Sequence, residues 1–312
     1  MRLIRLTIFT LTLVVILLLL VMPLGFGFAR TWALIHPACG DTGKTPQAWN
    51  VAFDSLAIPL RDGTQVNSFY IPSTNGVLIL VPPPYSAGRD GMLNETIALA
   101  KRGNGLLLWE SRACKGQAIS LGYSEMLDIG DVLKFVKNTP AIQAKTSKIA
   151  LHGFSAGGAA ATLAAARYPE VDALLTEGGY HRWDAVTGLS YGSGWLEWLI
   201  GVGGNLAYRV TTGQAATVLD PLSAIPQIVP RPIYFVYGER EASLDGARQQ
   251  LAAALEKQPD TFAVLWVVPR ADHSTYVADA GDEYATRTGL FYDCALRNQG
   301  CEEFWKLAGR AP

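Results

Sequence analysis

Lys148-Ile149-Ala150-Leu151-His152-Gly153-Phe154-Ser155-Ala156-Gly157-Gly158 is the stretch on which the fold turns. Residues 148–151 are a short β-prone run, and residues 156–167 are a small-residue run with helical character. G-x-S-x-G between a strand and a helix is a nucleophile elbow, in which the glycines permit a turn that a Cβ would block. The turn lifts the Ser155 hydroxyl clear of the backbone, and the helix N-terminus behind it favours developing negative charge. The bare pentapeptide is only moderately specific. Its strand-to-helix setting is what gives it weight.

Working outward, residues 51–60 and 64–71 are β-prone and flank Arg61-Asp62-Gly63, where Asp-Gly marks a hairpin turn. Further β-rich runs stand at 77–81, 106–109, 171–176, 233–237 and 263–268. Helical periodicity separates most of them, at 94–101, 124–136, 245–256 and 283–296. An antiparallel hairpin feeding alternating β and α units predicts an α/β fold: a mostly parallel central sheet with helices on both faces. The alternation breaks across 180–230. There Trp195, Trp198 and Leu199 form an apolar stripe on a short helix, to be read either as core or as a helical lid lining an apolar substrate pocket.

Serine needs a base. Of the four histidines, His36 follows the N-terminal apolar run, His152 lies inside the strand before Ser155, and His181 precedes the 180–230 segment. His273 falls just after the last β-run, on the edge of the sheet where Ser155 is expected, and is the predicted general base, with His181 as the fallback. The orienting acid is expected between serine and histidine in chain order. Gly238-Glu239-Arg240-Glu241 offers two carboxylates after the 233–237 run, with Asp245 and Asp220 more distant, and spacing leaves Glu239 and Glu241 near parity. For an oxyanion hole, Ala156 supplies one backbone N–H. Because Pro82-Pro83-Pro84 lack N–H groups, Tyr85 is the first available second donor on the loop after residues 77–81.

The chain has 312 residues, of which 49% are hydrophobic and 17% charged, with 26 Lys+Arg against 27 Asp+Glu. That balance excludes a disordered chain, and a net charge of -1 argues against nucleic acid as a partner. The positive mean hydropathy of +0.17 is carried by residues 1–29. Residues 6–29 hold no charged side chain and follow Arg2 and Arg5, which predicts a transmembrane anchor with a cytoplasmic N-terminus. A signal peptide cleaved near Gly27-Phe28-Ala29 is the alternative, and either reading exports the rest. Residues 30–50 read as a juxtamembrane linker and 51–312 as the catalytic body. Four cysteines suit an oxidising compartment and allow three pairings. Least strain favours Cys294 with Cys301 and Cys39 with Cys114, free buried thiols being the alternative.

The elbow at Gly153 to Gly158 resembles that of the α/β-hydrolase superfamily. Trp109-Glu110-Ser111-Arg112 is similar to that family's Asp-x-Arg-Gly turn, Glu125-Met126-Leu127-Asp128 and Asp220-Pro221-Leu222 look like its following helix and pre-strand segment, and Ala271-Asp272-His273-Ser274 is similar to its Gly-His-Ser turn. The pattern is most similar to membrane-anchored Bem46-like and serine aminopeptidase-like hydrolases. In such proteins the acid stands three residues after the strand's final glycine, an offset that lands on Glu241. Three departures stand out: Glu in place of Asp at 241, Pro83-Pro84 in place of His-Gly, and Ala113-Cys114 in place of the turn glycine.

The resemblance implies a serine hydrolase acting through Ser155, His273 and Glu241 with no cofactor and no metal. A carboxylic ester or other small acyl compound is the expected substrate. A peptidase, amidase or thioesterase of the same fold is the enzymatic alternative, and an inactive membrane-tethered binding module the non-enzymatic one.

Overall fold

The computed structural model describes residues 2–187 and 194–309. In chain order the strands are β1 (Asp54–Pro59), β2 (Gln65–Ile71), β3 (Val77–Val81), β4 (Gly105–Trp109), β5 (Lys148–Phe154), β6 (Ala173–Glu177), β7 (Ile233–Gly238) and β8 (Ala263–Val268). The first helices are α1 (Arg2–Ile35), α2 (Leu93–Lys101), α3 (Tyr123–Asn138), α4 (Pro140–Gln143), α5 (Ala156–Arg167) and α6 (Trp183–Thr187). They are followed by α7 (Trp195–Thr212), α8 (Pro221–Ile228), α9 (Leu244–Lys257), α10 (Tyr276–Ala280), α11 (Asp282–Arg297) and α12 (Cys301–Ala308). The chain divides into two compact units, Met1–His36 with Trp183–Val218, and Pro37–Arg182 with Leu219–Pro312.

The larger unit holds one sheet in the order β1-β2-β4-β3-β5-β6-β7-β8. β1 pairs antiparallel with β2 around the turn at Gly63, β2 pairs antiparallel with β4, and every later pairing is parallel. The central strands are apolar on both faces, as a parallel sheet covered by helices requires. Leu78, Leu80, Leu151, Leu174 and Phe235 pack with Ile129, Val132, Ala160, Ala164 and Ile225 of α3, α5 and α8. Their neighbours one residue along, among them Ile79, Val81, Ala150, Leu175 and Val236, pack with Ile97, Leu290, Phe291 and Phe304 of α2, α11 and α12. The period of two thus divides the sheet into two cores.

Arg112 Nε and Nη2 donate to both carboxylate oxygens of Asp128 at 2.9 and 2.6 Å, and Nη1 donates to Asp62 at 3.0 Å. The two stretches that resembled hydrolase segments, after β4 and on α3, are therefore joined to each other and to the β1–β2 turn.

Both expected disulfides form, Cys39–Cys114 and Cys294–Cys301. Residues 30–50, read as a juxtamembrane linker, carry helical structure and ties to the rest of the chain. Residues 30–35 complete α1, because nothing in Arg30-Thr31-Trp32-Ala33-Leu34-Ile35 breaks a helix and Thr31 and Ile35 are buried. Beyond them Cys39 is bonded to Cys114, Gly40 exchanges backbone hydrogen bonds with Ser86 and Gly88, and Pro46–Trp49 make a 3-10 turn.

The smaller unit contains α1, α6 and α7. Among the described residues α1 is the one helix long and apolar enough to cross a membrane.

Candidate active site

Ser155 sits between β5 and α5 with φ 53° and ψ -123°, a conformation costly for a residue with a Cβ and characteristic of functional turns. Its neighbours explain how the turn is tolerated. A Cβ on Gly153 would lie 2.3 Å from the Gly157 carbonyl oxygen, and one on Gly157 would lie 2.9 Å from the carbonyl oxygens of both Pro82 and Pro83. The elbow glycines therefore let strand, helix and the loop after β3 approach backbone to backbone. The Ser155 N–H donates to the Glu177 carbonyl at 2.8 Å, tying the turn to the end of β6.

His273, on the loop between β8 and α10, reaches this turn with Nε2 3.0 Å from Ser155 Oγ. Its Nδ1 lies 2.8 Å from Glu241 Oε1. The imidazole is half-exposed and the carboxylate buried. Glu241 also accepts from the Gly238 N–H at 3.0 Å and from the hydroxyls of Ser243 and Tyr276. Burial pushes the Glu241 carboxyl up, but the hydrogen bonds from His273, Ser243, Tyr276 and Gly238 outweigh it and hold the group below its ordinary range. An ionised acceptor is what fixes the Nδ1–H tautomer of His273 and leaves Nε2 free to accept a proton.

The two carboxylates that spacing left near parity are separated by geometry. Glu239 is exposed and accepts from the Arg270 N–H at 2.8 Å, whereas Glu241 turns inward to His273. Asp245 pairs with Arg248 and Asp220 caps α8. His181 packs over Gly246, where a Cβ would meet its ring, and His36 hydrogen-bonds the Trp32 carbonyl at 2.8 Å.

Ala156 opens α5, with its N–H in the first turn of the helix. The Tyr85 backbone has φ 38°, and its carbonyl accepts from Ser111 Oγ at 3.1 Å. Trp195, Trp198 and Leu199 lie on α7 in the smaller unit, where the two tryptophans are exposed and Leu199 is buried.

Gly178, Ser243 and Tyr276 escaped the sequence reading. Ser243 and Tyr276 stand two and three residues beyond Glu241 and His273, a proximity that offers a weak signal. Gly178 follows β6 with φ 55°, and a Cβ there would fall 2.5 Å from Tyr276 Oη, 2.8 Å from Glu241 Oε1 and 2.9 Å from His273 Cε1. Gly178→Ala is expected to displace the acid and the imidazole and lower turnover by roughly 10- to 100-fold, with little change in substrate affinity. Steady-state kinetics on the folded variant check this.

Beneath the turn lies a second polar cluster. His152 is fully buried with Nε2 2.9 Å from Glu177 Oε1, and the Tyr284 hydroxyl donates to the same oxygen, so His152 is a packed core residue. Glu95 on α2 feels this cluster: burial and the nearby Glu177 charge raise it from its ordinary 4.5 to about 7. A carboxyl whose pKa is raised by folding gives stability that is complete below its unfolded value and lost as pH climbs through its folded value. Wild type is therefore expected to lose up to roughly 3 kcal/mol between pH 4.5 and 7, a loss absent from Glu95→Gln. Tm measured for both proteins across this range should diverge with rising pH. Parallel curves would refute it.

Strand order, parallel core, elbow and the Ser155, His273 and Glu241 positions define an α/β-hydrolase fold. No family model and no curated relative matches the sequence. Among solved structures, an esterase of Pyrococcus furiosus is similar at TM-score 0.65 and 20% identity, over 83% of this chain and 98% of its own. An α/β hydrolase from a Penicillium species is similar at TM-score 0.58 and 16% identity, over 79% of this chain and 100% of its own. The acylaminoacyl peptidase of Pyrococcus horikoshii matches at TM-score 0.57 and 13% identity, over 78% of this chain and 42% of its own. These likenesses carry the fold, and the finer Bem46-like resemblance rests on the quoted residues alone.

Proposed function

We propose that the chain is a membrane-anchored serine hydrolase, with an extracytoplasmic catalytic unit that cleaves carboxylic esters. The observation that carries this reading is the hydrogen-bonded line from Ser155 Oγ through His273 to Glu241, mounted on a positive-φ turn at a helix N-terminus. In the reaction Ser155 Oγ attacks the substrate carbonyl while His273 Nε2 takes its proton. Glu241 stabilises the imidazolium, and the N–H groups of Ala156 and Tyr85 receive the oxyanion. His273 then protonates the leaving alcohol. Water activated by the same imidazole attacks the acyl-serine and releases the acid.

The export reading draws support from Arg2 and Arg5 before the apolar run of α1 and from two disulfides. Retention of α1 draws support from its unbroken course through Ala29 to Ile35. Cleavage after Ala29 would cut inside the helix.

The test is a substrate panel on the full chain in detergent or bilayer: aryl esters of graded acyl length, acyl thioesters, and aminoacyl and acylaminoacyl anilides. Turnover of esters at the highest kcat/KM supports the ester reading. Preference for anilides or thioesters would replace it with the peptidase or thioesterase reading, and no turnover together with no fluorophosphonate labelling would leave a non-catalytic binding module.

A further inference from the structure

Residues 4–22 of α1 are exposed throughout, and burial begins at Pro23, recurring at Gly27, Thr31 and Ile35. The four-residue spacing is one helical face, and α7 covers it. A Cβ on Gly27 would lie 2.0 Å from the Ile200 carbonyl oxygen, and one on Gly203 would lie 2.0 Å from the Leu24 carbonyl oxygen. The helices thus touch through their backbones, in the manner of small-residue contacts between membrane helices. Leu24 and Gly27 face Gly203 and Ile200 respectively, so the helices run antiparallel.

α7 carries a second apolar stripe that is exposed at all its members but the part-buried Val202. Trp195, Trp198, Val202, Leu206 and Val210 follow one another at spacings of three, four, four and four, a single stripe along the helix. Trp195, Trp198, Leu206 and Val210 are 58%, 52%, 52% and 64% exposed. Glu197, by the 3.6-residue period, points away on the side opposite Leu206.

We infer that this stripe of α7 docks on the headgroup–acyl boundary of the phospholipid bilayer that α1 crosses. The inference rests on the anchor reading given above. Three features select lipid as the occupant. Residues 4–22, the exposed part of α1, are about as long as the roughly 20 residues that cross the hydrocarbon core, and the protein-covered part begins at Pro23, so α7 joins α1 near the level where such a span leaves the hydrocarbon. Two tryptophans lead the stripe, and indole rings with an N–H settle at the headgroup level. Arg209 stands at the stripe's edge and is exposed, where its long stem lets the guanidinium reach phosphate while Leu206 and Val210 enter the acyl layer. α7 carries Glu197, Asn205 and Arg209 and is not among the described helices apolar enough to span, so, antiparallel to α1, it enters only the boundary with its Leu206–Val210 end. Trp195 and Trp198 then serve attachment in place of a substrate pocket, giving the enzyme a two-point hold on the membrane.

The experiment uses the full chain in phosphatidylcholine nanodiscs, one protein per disc. Because the four native cysteines are paired, Leu17→Cys, Glu197→Cys, Leu206→Cys and Val210→Cys each add one thiol for a nitroxide label. Spin counting at one label per chain verifies the pairing. Collision of the label with oxygen relative to a water-soluble nickel complex reports contact with acyl chains. Leu206→Cys and Val210→Cys are expected to show a ratio at least about threefold above Glu197→Cys, with Leu17→Cys higher still. A high ratio at position 17 with positions 206 and 210 matching 197 overturns the docking and leaves the anchor standing. A low ratio at position 17 overturns the anchor and the docking together. Water access at 206 and 210 in single-protein discs, with spin–spin broadening only in crowded liposomes, overturns the docking in favour of a second copy of the chain.

Discussion

Ser155→Ala is expected to abolish labelling by a fluorophosphonate and to lower ester turnover by roughly 10⁴- to 10⁶-fold. The size of the effect follows from what is removed. Without the hydroxyl, the proposed acyl-enzyme cannot form, and His273 Nε2 loses the group 3.0 Å away from which the proposed mechanism has it take a proton. The backbone donors and the bound substrate remain, which leaves residual catalysis through oxyanion stabilisation alone. Ser155 is held by the backbone at φ 53°, and alanine carries the same Cβ, so the fold is expected to stay intact with a Tm near that of wild type. Equal labelling of wild type and Ser155→Ala would sink the assignment of the nucleophile.

Glu241→Gln is expected to cost about 10³- to 10⁴-fold in kcat with a modest change in KM, whereas Glu239→Gln is expected to stay within a few-fold of wild type. A glutamine at position 241 offers His273 Nδ1 either a carbonyl oxygen or an N–H. The hydroxyls of Ser243 and Tyr276 and the Gly238 N–H compete for that oxygen. Orienting the amide N–H toward Nδ1 moves the imidazole proton to Nε2, which then cannot accept from serine. The lost negative charge also removes stabilisation of the imidazolium. Glu239 faces the Arg270 N–H at the surface, and the neutral amide can still accept that bond. A larger loss at Glu239 than at Glu241 would reverse the assignment. Single-turnover measurements would separate slowed acylation from slowed deacylation.

Much of the larger unit was readable in the chain because the signals were local. β3, α5 and β8 begin and end where the apolar runs at 77–81, 156–167 and 263–268 do. β5 runs three residues past the expected 148–151 to Phe154, because the elbow continues the strand up to the serine. The first strand is shorter than the expected 51–60, since residues 51–53 find no partner in β2 and pairing starts at Asp54 with Tyr70. α12 passed unnoticed because eight residues hold barely two turns of periodicity, and its place is decided by Phe304 against Phe291 and Tyr234. Glu241 was favoured by resemblance, while its distinction from Glu239 lies in the direction of each side chain, which spacing does not encode.

What the sequence by itself determined was what short-range chemistry dictates: the alternation of β-prone and helical segments through most of the larger unit, the elbow at Ser155, a histidine after the last strand and a charge-free apolar run over residues 6–29. The tertiary structure decided what depends on residues far apart in the chain. It brought Gly178 against His273 and Glu241, buried His152 beside Glu177, and gave the stripe-bearing helix α7 a partner in α1 more than 170 positions upstream. An apolar stripe announces that a helix face avoids water. Which surface meets it is set by distant backbone shape, here the absence of a side chain at Gly27 and Gly203.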